Sequence, residues 1–182
     1  MSRRSLLIAM ALVVAGCGTS PPADPTAKRR EIDAKVDNAL AELQRTGSAS
    51  ELASRAEAVL VVPDVITAGF IAGGSYGQGA LRKKGQTAGY YSLGAGSVGL
   101  LAGAQSKTVY VLFMTPEALR KFEQSNGWTI GADASVAVVN IGADGRVDSQ
   151  TARSEVIGMV RNQTGFMANL SLEGTKFNRL SL

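Results

Sequence analysis

The 182-residue chain has no histidine and a single cysteine, Cys17, so it has little from which to build a zinc centre or a histidine-based catalytic group. Its formal charge of +4 includes Arg3 and Arg4; without them 17 basic residues face 15 acidic ones, too even a balance for a nucleic-acid binder. These counts predict no enzyme, no metal and no cofactor, and a core that holds by burial and hydrogen bonding without an internal disulfide.

Arg3 and Arg4 precede an uncharged stretch, Ser5 to Gly16, that closes on Val14-Ala15-Gly16-Cys17. A basic start, a short apolar run and small residues before a cut describe a secretory signal peptide. The run is shorter than the ~20 residues that a membrane-spanning helix needs. Its ending resembles a bacterial lipobox. That resemblance implies cleavage before Cys17, diacylglycerol on the Cys17 thiol and acylation of the new amino terminus. Two or more acyl chains anchor a protein stably where one does not. Gly18 follows, where an aspartate in Gram-negative lipoproteins means retention in the inner membrane. The sorting rule therefore implies a lipid-anchored protein of the bacterial envelope, at the outer membrane and facing the periplasm.

The expected organisation is a signal peptide at 1–16, a lipidated cysteine and flexible tether at 17–27, and one domain at 28–182. Three of the five prolines fall in the tether. From Lys28 to Gln44, Ile32, Val36, Leu40 and Leu43 repeat at helical spacing. Ser50 is placed to cap a second helix from Glu51 to about Leu60, which Pro63 ends. Beyond Pro63, short apolar runs punctuated by glycine predict strands at 67–75, 79–83 and 87–93, with a turn at Lys84-Gly85-Gln86. Gly94–Ala104 reads as one or two further strands, and Lys107–Met114 is the clearest strand. Thr115 and Pro116 start a helix that runs to about Gln124 with Leu119 and Phe122 inward. Trp128–Ile141 and Arg146–Val147 flank one turn. Glu155–Arg161 and Phe166–Leu172 flank another, at Asn162 to Gly165. The fold class is α+β: an antiparallel, strongly bent sheet or barrel, with two N-terminal helices and one inserted helix.

Two motifs match in letters only. Gly73-Gly74-Ser75-Tyr76-Gly77 fits a hydrolase elbow, which needs a strand-to-helix turn and a histidine base. Gly94-Ala95-Gly96-Ser97-Val98-Gly99 fits a dinucleotide fingerprint, which needs a helix opening at its glycines. The uncharged span from Gln86 to Ser106 is long enough to cross a membrane but reads better as strands.

From Ala58 the chain carries Ala58-Val59-Leu60-Val61-Val62-Pro63-Asp64-Val65, then Ala68-Gly69-Phe70-Ile71-Ala72-Gly73-Gly74-Ser75-Tyr76-Gly77-Gln78-Gly79-Ala80-Leu81. Gly103-Ala104-Gln105-Ser106, Phe113-Met114-Thr115 and Leu170-Ser171-Leu172-Glu173-Gly174-Thr175-Lys176 follow in order. Over about Ala53 to Leu180 this run resembles the SYLF domain. In eukaryotes that domain accompanies Src-homology-3 or FYVE modules and binds phosphoinositides. A yeast branch also binds and bundles actin, and bacteria carry the domain in secreted lipoproteins. The resemblance implies binding of anionic phospholipid or phosphoinositide-like headgroups, without catalysis. A protein partner within the envelope, with lipid contact through the acyl anchor alone, is the alternative.

The motifs are mostly glycine and apolar, so candidate headgroup ligands come from charge. Lys28, Arg29 and Arg30 lie next to the tether. Arg82, Lys83 and Lys84 lie at an expected hairpin tip, with no acid between Asp64 and Glu117. Lys107, Arg161 and Lys176 supplement them if folding brings them together. The family's eukaryotic branch touches membranes through an amphipathic segment before the domain. The equivalent here, Lys28–Gln44, mixes basic residues with Glu31, Asp33, Asp37 and Glu42.

Overall fold

A computed structural model describes residues 24–69, 72–98, 104–139, 151–162, 165–166 and 171–182. Cys17, most of the tether and the strand expected at Arg146–Val147 lie outside them, as does most of the one expected at Phe166–Leu172.

Helix α1 spans Pro25–Gln44. It begins three residues before the expected Lys28, because Asp24 caps it, accepting from the Thr26 amide at 2.9 Å, and Pro25 presets the first helical φ. The tether is shorter by those residues. Ile32, Val36, Ala39 and Leu43 are the buried face. Helix α2, Gly47–Arg55, is displaced from the expected Glu51–Leu60, with Thr46 and not Ser50 at its N-cap position.

Ala58 to Leu60 are not helical. They open strand β1, Ala58–Gly69. Strands β2 (Ala72–Lys83), β3 (Gln86–Val98) and β4 (Ala104–Phe113) follow. Pro63 therefore sits inside a central strand, between β2 and β4. A proline cannot donate to a ladder, and the ladder yields to it: the register shifts between Val61 and Ile66 on one side and between Val62 and Val65 on the other. Asp64, at φ 53°, forms the bulge. The β2–β3 turn is Lys84-Gly85, both at positive φ, the two-residue turn whose twist suits a hairpin.

Helix α3 is Pro116–Gln124, as the sequence predicts, with the Thr115 hydroxyl accepting from the Ala118 amide at 3.2 Å. Strands β5 (Trp128–Thr129), β6 (Ala137–Val138), β7 (Val156–Asn162), β8 (Gly165–Phe166) and β9 (Lys176–Leu180) complete the described strands, with a short 3-10 turn at Thr151–Arg153 before β7. The long strand expected over Trp128–Ile141 is two short pieces around a turn at 131–133.

The sheet order is β5-β9-β3-β2-β1-β4-β7-β6, with β8 beside β7. Pairing is antiparallel except between β6 and β7. The two outermost strands, β5 and β6, are joined by the chain from Thr129 to Ala137, which can reach no more than about 29 Å. The sheet must curl to satisfy that link, and it forms a half-barrel.

Both faces of the curl are buried, and strand alternation divides them. Leu60, Val62, Val109, Val111, Phe113, Val156 and Val160 point inward. Val59, Val61, Tyr110, Leu112, Ile157 and Met159 point outward, under α1 and α2. Helix α3 plugs the hollow: the Phe122 ring lies 4.8 Å from Tyr91, 4.7 Å from Phe113 and 5.4 Å from Trp128. Burial of such a side chain contributes roughly 2–3 kcal/mol. Gly79 lets β1 and β2 approach; a Cβ there would strike the β1 backbone at Val61 and Val62.

The hydrolase-like motif lies within β2, where the Ser75 hydroxyl shares a 2.7 Å hydrogen bond with Thr67. The described part of the dinucleotide-like motif, Gly94 to Val98, lies within β3. The uncharged span is strand wherever it is described, and among the described residues no helix is long and apolar enough to cross a membrane.

Candidate functional site

Helix α1 crosses the outer face of the sheet and presents two unlike flanks. On the side of the β2–β3 turn, Asp33 and Asp37 meet the hairpin. Asp33 accepts from Thr87 at 2.9 Å through Oδ1 and from Tyr90 at 2.8 Å through Oδ2. The Arg82 guanidinium donates to Asp37 at 2.7 Å, lies 3.2 Å from Asp33 and also reaches Thr87. Burial, then the Asp33 hydrogen bond, raises the Tyr90 phenol above its usual range.

This network corrects the hairpin-tip expectation. Arg82 is not at an exposed tip; its side chain is only 12% exposed and is held under α1. Lys83 turns to the inner side and pairs with Glu123 of α3 at 3.5 Å. Of the three cations, Lys84 alone stands exposed at the turn. The partners of Arg82 lie 45 and 49 residues earlier in the chain, so no local pattern marks them.

On the opposite flank, Glu31 joins Lys28 and Lys35, each at 3.1 Å, and Lys35 also reaches Asp64 at 3.3 Å. Those hydrogen bonds, Lys28 first, hold the Glu31 carboxyl below its usual range. Beyond the flank runs a groove of about 390 Å³, floored by the β1–β2 hairpin and lined by Ile32, Pro63, Ile66, Ala68, Gly74 and Tyr76. Ile66 and Tyr76 are 49% and 57% exposed, the large hydrophobic side chains left open among the described residues. Sequence reasoning missed both. Their signal was a charge-free β stretch between Val65 and Leu81, which gives no hint of what covers it.

Arg29 and Arg30 are exposed in the first turns of α1 and form no ion pair with any described residue. Lys107 and Arg161 line one groove of about 350 Å³ with Glu42 and Asp64, and Lys176 is not part of it. Lys107 pairs in register with Val65, which joins the inner layer, and burial lowers its amine pKa. Arg161 pairs with Glu42 of α1 on the outer side. Lys176 lies on β9, beyond β3.

A family model described as Ysc84, Las17-binding protein actin regulator, matches residues 94–180. The match runs from within β3 to the last residue of β9 and takes in β4 and α3. No curated protein matches the chain. This match agrees with the motif resemblance: residues 94–180 are similar to the Ysc84, or SYLF, family.

Proposed function

We propose that the protein is a lipid-anchored envelope protein whose SYLF domain contacts anionic phospholipid. The observation that carries this reading is the placement of Arg29 and Arg30. They are exposed and unpaired with described residues, at the start of a helix whose cap, Asp24, follows Cys17 by seven residues. Seven residues reach at most about 25 Å, so a lipid on Cys17 would hold these cations close to the headgroups. Each basic residue near an anionic surface contributes about 1 kcal/mol, which favours weak, charge-selective binding. Lys28 adds to it, whereas Lys84 stands at the far hairpin turn and Arg82 and Lys83 pair with Asp33, Asp37 and Glu123.

A second reading is protein binding, favoured by the family's description as binding Las17 and regulating actin. Vesicle flotation of residues 24–182 separates the two. Both apolar layers are built from residues between Ile32 and Leu182, so this segment holds the whole described core. Binding to phosphatidylglycerol vesicles but hardly to phosphatidylcholine supports the lipid reading. Binding to neither leaves the protein-partner reading.

A further inference from the structure

The uncovered part of the outer sheet face has a chemistry of its own. Ile66 and Tyr76 are register partners on β1 and β2, and Ala68 pairs with Gly74. Across β3, Gly94 lies opposite Tyr76 and Gly96 opposite Gly74; across β4, Ser106 lies opposite Ile66. A Cβ at Gly94 or Gly96 would meet nothing within 4 Å. Nothing between Val65 and Leu81, or between Gly85 and Ser106, carries a charge. Two large side chains thus stand on a floor of small, uncharged residues, with the Lys28–Glu31–Lys35 flank of α1 as a polar rim.

We infer that this face, centred on Ile66 and Tyr76, seats in the interfacial layer of the bilayer to which the chain is tethered. The inference rests on the membrane address of the reading above, but not on headgroup charge. Three observations select a bilayer as the occupant. The anchor residue is close: Lys28, which lines the groove, follows Cys17 by eleven residues. The pair is suited to an interface, since tyrosine has an apolar ring and a polar tip and is enriched at the headgroup level. Lys28 and Lys35 have stems long enough to lie along apolar surface while their amines stay in water.

The test uses the full chain in phosphatidylcholine vesicles, with and without phosphatidylglycerol. Tyr76→Trp places a fluorescent reporter on the face, and Ile66→Trp is a second reporter should the first disturb the fold. Trp128 is buried and supplies a constant background, subtracted with the parent chain. Lys84→Trp, at the far hairpin turn, is the control. The expected result is blue-shifted emission at position 76, quenched by lipids brominated near the top of the acyl chains, with no quenching at 84. Equal quenching in both vesicle types supports this face while removing the headgroup reading. A vesicle-bound protein whose reporters at 66 and 76 are quenched no more than that at 84 overturns the inference, whatever its lipid preference. Protection of the same reporters by a second copy, shown by a concentration-dependent shift without lipid, also overturns it.

Discussion

The Arg82 guanidinium lies 2.7 Å from Asp37 and 3.2 Å from Asp33, and through these contacts one side chain of β2 fastens α1 to the sheet. The pair is partly buried, so removing Arg82 leaves Asp33 facing Thr87 and Tyr90 without its counter-charge. Arg82→Ala should lower stability by about 1–3 kcal/mol, below the roughly 3–5 kcal/mol that breaking a fully buried pair costs, because Asp33 and Asp37 are partly exposed. Lys84→Ala, on the same hairpin but exposed, should stay within about 0.5 kcal/mol of the parent. Urea midpoints at unchanged slope check both. Equal midpoints for the two variants would show Arg82 to be a surface cation after all.

A second contrast tests the close approach of β1 and β2. Gly79→Ala forces a Cβ into the β1 backbone at Val61 and should cost about 1–3 kcal/mol or more, as overpacking does. Gly94→Ala meets open space and should be neutral or mildly stabilising, since glycine weakens strands. Thermal melts of the pair give the answer; a destabilised Gly94→Ala would mean that something covers that face.

Tyr110 is fully buried on the outer side of β4 and donates to the Ala39 carbonyl at 3.0 Å. Burial pushes its phenol up to about 12 from an ordinary 10.0. The folded state therefore keeps a proton that the unfolded state loses between those two values. The resulting stability is fully present below pH 10 and is lost as pH rises through about 12. Burial also raises Tyr90 and Tyr91, so tyrosinate absorbance should show a late-titrating component that shrinks by one tyrosine in Tyr110→Phe. A parent curve that coincides with the variant's would place Tyr110 in water.

Legibility in the sequence followed the range of the interactions. Helix α3 could be read whole, because Thr115, Pro116 and the Leu119–Phe122 spacing are local signals. So could the buried stripe of α1, although Asp24-Pro25 was the stronger start signal and the helix begins there. Leu60 misled: at helical spacing from Leu52 and Ala56, it belongs instead to a β1 run whose alternate residues fill two different layers. Pro63 looked like a boundary and is a bulge, tolerated because both neighbouring ladders shift around it. Strand β9 had no signal, since Phe177 is its only buried residue. Among the candidate ligands, charge pointed to Lys28, Arg29, Arg30, Arg82, Lys83 and Lys84 alike, and only the fold shows that Arg82 and Lys83 pair with Asp33, Asp37 and Glu123.

The anchor is tested separately. Cys17 is the only thiol in the chain, so Cys17→Ser should abolish fatty-acid labelling and leave an uncleaved precursor. Label persisting on the variant would remove the lipid anchor from the account.

The most direct test of the central claim is flotation of residues 24–182 with anionic vesicles, comparing the parent with the Arg29→Glu/Arg30→Glu double variant. Both side chains are exposed, so the fold should survive. The reversal shifts the segment's formal charge from +2 to −2. The parent should float with phosphatidylglycerol vesicles at low salt and less so once the Debye length falls to about 8 Å. The double variant should stay in solution. A double variant that floats as well as the parent, or a parent that floats equally with phosphatidylcholine, would contradict the assignment of anionic lipid to this end of the helix.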